Sequence, residues 1–237
     1  NRKPYDSKPL TAEQETELLH SSQEVGGGDI RFVKSKNDMK VFGESGSVNE
    51  IVMLENKLLH KLFFEEIVWT ETEERAKGKG LYLRTMELKP PQRFILKLVK
   101  HWPIMSFFDK LGLAKMIAKD NAKTYQSGAL AGAIVVADKD EDFIAAGRIM
   151  ERIWLKATKF GLSFHLITGA LFFSQKIVAG ETNIFSEEHI KLIKDAYQKT
   201  ASIFNVKNGI IAVAFRIGYN GEPSARSIKL TPKIVYT

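Results

Sequence analysis

From residue 146 to residue 160 apolar side chains return at steps of three and four. Ala146, Ile149, Met150, Ile153, Trp154, Ala157 and Phe160 form the series, with Arg148, Glu151, Arg152, Lys156 and Lys159 falling mostly between them. That spacing is the stripe of an amphipathic helix. Gly161 stands where a C′ glycine would end it, and 162–167 then reads as a short extended segment closing at Gly169. Upstream, Thr11 to Gln14 has the form of a capping box and predicts a helix from Thr11 to about Ser21, broken by Gly26, Gly27 and Gly28. Residues 29–35 alternate as a strand does. Residues 47–69 read as one long helix, 70–80 as a charged solvated loop, and 81–88 as extended chain. Pro90 and Pro91 open a segment of two helical pieces separated near Trp102 and Pro103. The apolar, β-branched runs 131–138 and 209–218 are buried strands. Ser186 caps a helix reaching about Phe204, and the tail 219–237 is polar and extended. Helices and strands mix without regular βαβ alternation, so the expected class is α+β.

Composition narrows this picture. A chain of 237 residues, 44% hydrophobic and 27% charged, suits one globular domain with a substantial core. There are no cysteines, which excludes disulfides, thiolate metal sites and cysteine nucleophiles and agrees with a cytoplasmic location. No apolar run approaches the ~20 residues of a membrane span. Because residue 1 is Asn rather than Met, further sequence is expected upstream.

The net charge of +7 is concentrated. Between residues 89 and 123, Lys89, Arg93, Lys97, Lys100, Lys110, Lys115, Lys119 and Lys123 face only Asp109 and Asp120, a local +6. Charge this local argues against nucleic acid as partner. Phe94, Ile95, Leu98, Trp102, Ile104, Phe107, Phe108, Leu111, Leu113, Met116 and Ile117 lie between these lysines. Two readings follow. A basic amphipathic segment can lie on an anionic membrane, or it is a helical excursion that buries its stripe in protein. The second is preferred, because most amphipathic helices do so.

The run from Ala145 to Ser163, with its Gly147-Arg148 pair, Ala157-Thr158 and Gly161-Leu162, resembles the central helix of the nitroreductase family of FMN-dependent oxidoreductases. Asn1-Arg2-Lys3-Pro4-Tyr5-Asp6 is similar to the second half of that family's N-terminal motif. Phe215 to Pro223, followed by Arg226, is similar to its last strand and tail. The resemblance implies a central mixed or antiparallel sheet flanked by helices, with a long central helix, in a homodimer. It implies that Asn1 and Arg2 face the ribityl chain or pyrimidine edge of FMN. The turn Ile167, Thr168 and Gly169 would offer backbone N–H groups to flavin N5 and O4, although Leu166 replaces a proline. Arg226 would reach the phosphate, with Ser224 where a second basic residue is common. In this reading the 89–123 excursion crosses a partner subunit and roofs the flavin pocket. His165 reads as a structural histidine, and Gly26 to Gly28 as a small-residue loop under the flavin that matches no dinucleotide fingerprint.

The implied activity is transfer of a hydride from NAD(P)H to FMN and on to a small-molecule acceptor such as a nitroaromatic or quinone. No metal, nucleophile or catalytic side chain is required, since the flavin carries the chemistry. The alternative is a catalytically degenerate module of the same fold, attached to another domain or to a membrane surface. A third reading is a membrane-surface or nucleic-acid binder acting through residues 89–123.

Overall fold

Strand β4 (Leu130–Val136) lies at the centre, and its two faces organise most of the core. Leu130, Ile134 and Val136 face one way and Ala131, Ala133 and Val135 the other, the two-residue period of a strand buried on both sides. Strand β1 (Asp29–Val33) pairs with one edge and β6 (Ile210–Gly218) with the other. Strand β5 (Ser163–Leu166) completes the order β1-β4-β6-β5, every pairing antiparallel. The structure, a computed structural model, describes residues 1–228; the part of the extended tail expected over 229–237 lies outside the described residues. The mixed helix-and-sheet architecture agrees with the α+β class expected from the sequence.

Helices α1 (Ala12–Val25) and α9 (Asp140–Lys159) cover the first face, through Leu18 and through Ala146, Ile149, Ile153 and Ala157. Asp140, Glu141 and Asp142 occupy the first turn of α9, and Lys156 and Lys159 its last, each sign matching the helix dipole. Gly161 follows with φ 68°, the left-handed stop that the stripe predicts. Helices α2 (Lys36–Gly46), α10 (Gly169–Val178) and α11 (Glu187–Ile203) lie over the second face, where Met39, Phe42, Leu171 and Phe204 meet the strands. A register shift between Ile134 and Val135 resets β6, so that Phe215 and Ile217 face α9 while Arg216 points to the other side. Gly132 leaves room for the Phe215 ring, since a Cβ there would stand 2.3 Å from it.

Several sequence expectations change. The stretch 47–69 is not one helix. Asn56, at φ −99° and ψ 117°, ends α3 (Val48–Glu55), and its Oδ1 accepts from the amides of Leu58 and Leu59 to start α4 (Lys57–Glu66). Ile67–Val68 then forms β2, parallel to β3 (Leu81–Tyr82). The stretch 70–80 is not a loop, because Thr70 caps α5 (Glu71–Lys77) and Glu71–Arg75 and Glu73–Lys77 pair along it at 2.6 Å. Past a short 3₁₀ turn (Leu83–Met86), the basic excursion holds three helices rather than two: α6 (Pro90–Val99), α7 (Trp102–Asp109) and α8 (Leu113–Tyr125). They pack within their own chain on α3, α4 and β2, through Leu54, Phe64, Ile67, Val99, Met105 and Ala114.

Candidate functional site

Strands β5 and β6 place His165 directly opposite Arg216, both on the sheet face away from α9. Arg216 is fully buried. Its Nε donates to His165 Nδ1 at 3.2 Å, Nη1 to the Ser127 carbonyl and hydroxyl at 3.1 and 2.8 Å, and Nη2 to the Lys3 carbonyl at 2.8 Å. The Tyr5 ring lies 3.9 Å from the guanidinium carbon, a cation–π contact. Among the described residues no carboxylate pairs with this cation. Burial lowers its pKa to about 10, opposed by the Tyr5 and Tyr125 hydroxyls, so it stays charged at neutral pH. Burial, in turn, raises the Tyr5 hydroxyl to about 12, against the pull of Arg216 and Arg2.

A guanidinium only donates, so His165 Nδ1 is the acceptor in this pair. Burial, and then the charges of Arg216 and Arg2, hold the His165 pKa well below the usual value. The ring is therefore neutral and carries its proton on Nε2. Tyr125, at the end of α8, stands edge-on to it with centroids 5.8 Å apart. The Tyr125 hydroxyl donates to Glu50 Oε1 at 2.7 Å. Glu50 Oε2 is buried without a hydrogen-bond partner among the described residues. Burial raises the Glu50 pKa to about 7, against the pull of the Tyr125 hydrogen bond, which favours the charged form. Burial, followed by the Glu50 charge, pushes the Tyr125 hydroxyl well above its ordinary value.

The residues singled out in the sequence fall around this cluster in two groups. Asn1 sits on β5, with Nδ2 donating to Ser163 Oγ at 3.3 Å and to the Gly221 carbonyl at 2.8 Å. Arg2 is exposed and donates one N–H to the Thr85 carbonyl at 3.1 Å. Ile167 is buried, and its amide bonds the Ala214 carbonyl at 2.8 Å as a continuation of the sheet. Thr168 is the N-cap residue of α10 without a side-chain cap bond, so the amides at the helix start have no intrahelical acceptor. Gly169 packs on Asn49, where a Cβ would stand 2.2 Å from Oδ1. The second group is the tail. Ser224 donates its amide and hydroxyl to Glu87, each at 2.6 Å, and Arg226 pairs with Glu222. Ser224 and Arg226 line a cleft of about 530 Å³ with Glu71, Glu74, Arg75, Tyr82 and Arg84. Asn1, bonded to both Ser163 and Gly221, ties β5 to the tail, and Arg2 bonds Thr85 beside the cleft residue Arg84; the 167–169 turn does not line the cleft. Gly27 and Gly28 lie against α9 and β4, on the other sheet face.

No family model and no curated protein matches the chain. Solved structures do. NfrA1 from B. megaterium superposes with a TM-score of 0.50 at 10% identity, over 99% of this chain and 68% of that one. Also similar are an FMN-dependent nitroreductase from Clostridium difficile (TM-score 0.48, 11% identity, 98% and 93% of the two chains) and a nitroreductase with bound FMN from Bacteroides fragilis (0.46, 11%, 99% and 92%). On the NfrA1 superposition the chain has a nitroreductase-like fold. In this nitroreductase-fold chain the motif residues lie at β5, at the turn into α10 and in the tail, while Glu50, Tyr125, Glu87 and Glu222 carry no local signal. A lone arginine within the apolar run 209–218 was the one available hint of the buried cluster, since a buried strand rarely holds an unpaired cation.

Proposed function

We propose that this chain is an FMN-dependent oxidoreductase that takes a hydride from NAD(P)H and passes it to a small-molecule acceptor, working as a homodimer in the cytoplasm. The observation that carries the reading is the exposed Arg2 guanidinium on a nitroreductase-fold scaffold, with all but one of its N–H groups uncommitted after its bond to the Thr85 carbonyl.

The donor set suits the cofactor. Arg2 commits one of its five N–H groups to Thr85, leaving the others for an acceptor-rich pyrimidine edge. The open start of α10 presents backbone amides at Thr168 and Gly169, and Gly169 admits the Asn49 side chain that a Cβ would displace. At the tail Arg226 is held by Glu222, with both side chains more than 70% exposed. A pair that exposed is weak, so a phosphate dianion exchanges with the carboxylate at little cost. Ser224 would add its hydroxyl on release from Glu87.

Bound FMN would supply the hydride-accepting ring. The residues around it bind and hold charge. Arg2 would stabilise negative charge at the pyrimidine edge and the α10 amides would hold acceptor atoms in place, while Arg216 keeps the interior behind β5 positive without titrating near neutrality. His165 is locked by Arg216 as a neutral N–H donor. The specific observation favouring a degenerate binding module is that Ser224 and Arg226 are both engaged by carboxylates. The test is direct: purified protein incubated with FMN and desalted keeps the yellow flavin bands under the first reading and loses them under the second.

A further inference from the structure

The α6–α8 excursion is apolar on two sides, and only one is used by the fold. Leu96, Val99, Met105, Leu113, Ala114 and Ile117 face inward onto Leu54, Phe64 and Ile67. That inner face satisfies the ordinary requirement that an amphipathic helix bury its stripe in protein. It leaves Phe94 at 63% exposure, Phe107 at 63%, Leu111 at 74% and Met116 at 61%, with Ile95, Leu98 and Phe108 also exposed. Helix α4, which packs on α7, adds exposed Leu58 and Leu62 beside exposed Lys57 and Lys61. Phe107 and Phe108 pack edge to face on each other at 5.4 Å, an aromatic pair held at the surface. Exposed Lys97, Lys110, Lys115 and Lys119 lie on the same helices, while Lys100 stands over the Trp69 ring of the inner cluster.

The composition of this outer face selects its partner. Protein–protein interfaces are enriched in aromatic residues and Met but depleted in Lys. Here exposed aromatics occur together with a local charge of +6. Exposed lysines interspersed with unburied Phe and Leu on the same helices suit a surface that is anionic at its boundary and apolar just beneath. No helix among the described residues is long and apolar enough to cross a membrane, so a segment of this kind would lie in the headgroup region. We propose that the outer face of α6–α8, with the adjoining edge of α4, docks the protein on anionic lipid membranes, Phe94, Phe107 and Leu111 entering the boundary and the lysines meeting lipid phosphates. The proposal stands on exposure and charge alone, independently of the flavin reading.

Sedimentation with phosphatidylcholine vesicles, and with vesicles containing a third phosphatidylserine, tests it at low and at high salt. The docking account expects partition onto the anionic vesicles only, falling steeply with salt. Lys110→Ala should weaken it about five-fold, as should Lys115→Ala, by the value of one surface lysine. Phe107→Ser/Leu111→Ser should weaken it more than ten-fold with helix content and melting unchanged, because neither side chain is part of the core. Failure of the whole protein to bind anionic vesicles at low salt would overturn the proposal. So would binding that the Phe107→Ser/Leu111→Ser variant retains in full. If that variant instead shifted a dimer to monomer with no vesicle binding in the parent, the face would belong to a second copy and the proposal would fall.

Discussion

Replacing Glu50 by glutamine should stabilise the protein at and above neutral pH and leave it unchanged in acid. The Glu50 carboxyl has one oxygen bonded by Tyr125 and the other buried without a partner among the described residues. Burial carries its pKa from 4.5 to about 7. The folded protein therefore binds this proton more tightly than the unfolded chain does, and between those two values stability falls as pH rises. Below about pH 4.5 both states are protonated and nothing is lost; above about pH 7 the loss is complete. A shift of that size corresponds to roughly 3 kcal/mol as an upper figure. Glutamine keeps an oxygen for the Tyr125 hydroxyl and carries no charge. Glu50→Gln should thus match the parent at about pH 4 and exceed it by about 1–3 kcal/mol at about pH 8, or roughly 3–10 °C in melting temperature for a chain of this size. Urea and thermal melts of both proteins at several pH values make the comparison. Parallel pH profiles, or a glutamine variant less stable at about pH 8, would refute the argument that this carboxylate is a buried and poorly satisfied charge.

Three other substitutions probe different parts of the account. Arg226→Ala should lower FMN retention about ten-fold or more without altering the melt, since its present partner Glu222 is exposed; unchanged flavin per chain after desalting would remove the phosphate role. Gly132→Ala should destabilise by about 1–3 kcal/mol, because the new Cβ would meet the Phe215 ring at 2.3 Å, and a neutral result in chemical denaturation would show that the ring can move aside. Asn56→Ala should cost about 1 kcal/mol or more by the same measurement, having removed both the α4 cap and the bond from Asn56 Nδ2 to Ile184.

What the chain reveals before folding depends on how local the cause is. The α9 stripe is legible because four of its positions, Ala146, Ile149, Ile153 and Ala157, are buried as the period requires, and because Gly161 needs a positive φ. Trp154 belongs to the same stripe yet remains 47% exposed, reaching past the helix to stack on Phe164. Strands β4 and β6 are legible as apolar runs for the same local reason. The misread stretches also had local causes. Asn56 is a cap inside an apolar pattern, and the Thr70 cap with acids first and bases last marks α5 as a helix although its residues are charged. The buried cluster is different. Glu50, Tyr125, His165 and Arg216 come from α3, α8, β5 and β6, and only tertiary packing brings them together. The bulge that turns Arg216 inward is likewise a property of the paired strands, set by register rather than by residue pattern. The motif residues were singled out one by one from local sequence. That Asn1 would tie β5 to the tail, and that carboxylates would occupy Ser224 and Arg226, followed from contacts more than 80 residues apart or from tail geometry.

The most direct measurement is the visible absorption spectrum of the purified protein after FMN addition and desalting. Flavin bands near one per chain, bleached by NADH or NADPH and restored by a quinone or nitroaromatic, are the predicted result. A colourless protein that returns all the added FMN to the small-molecule fraction would contradict the proposal that this chain is a flavin enzyme.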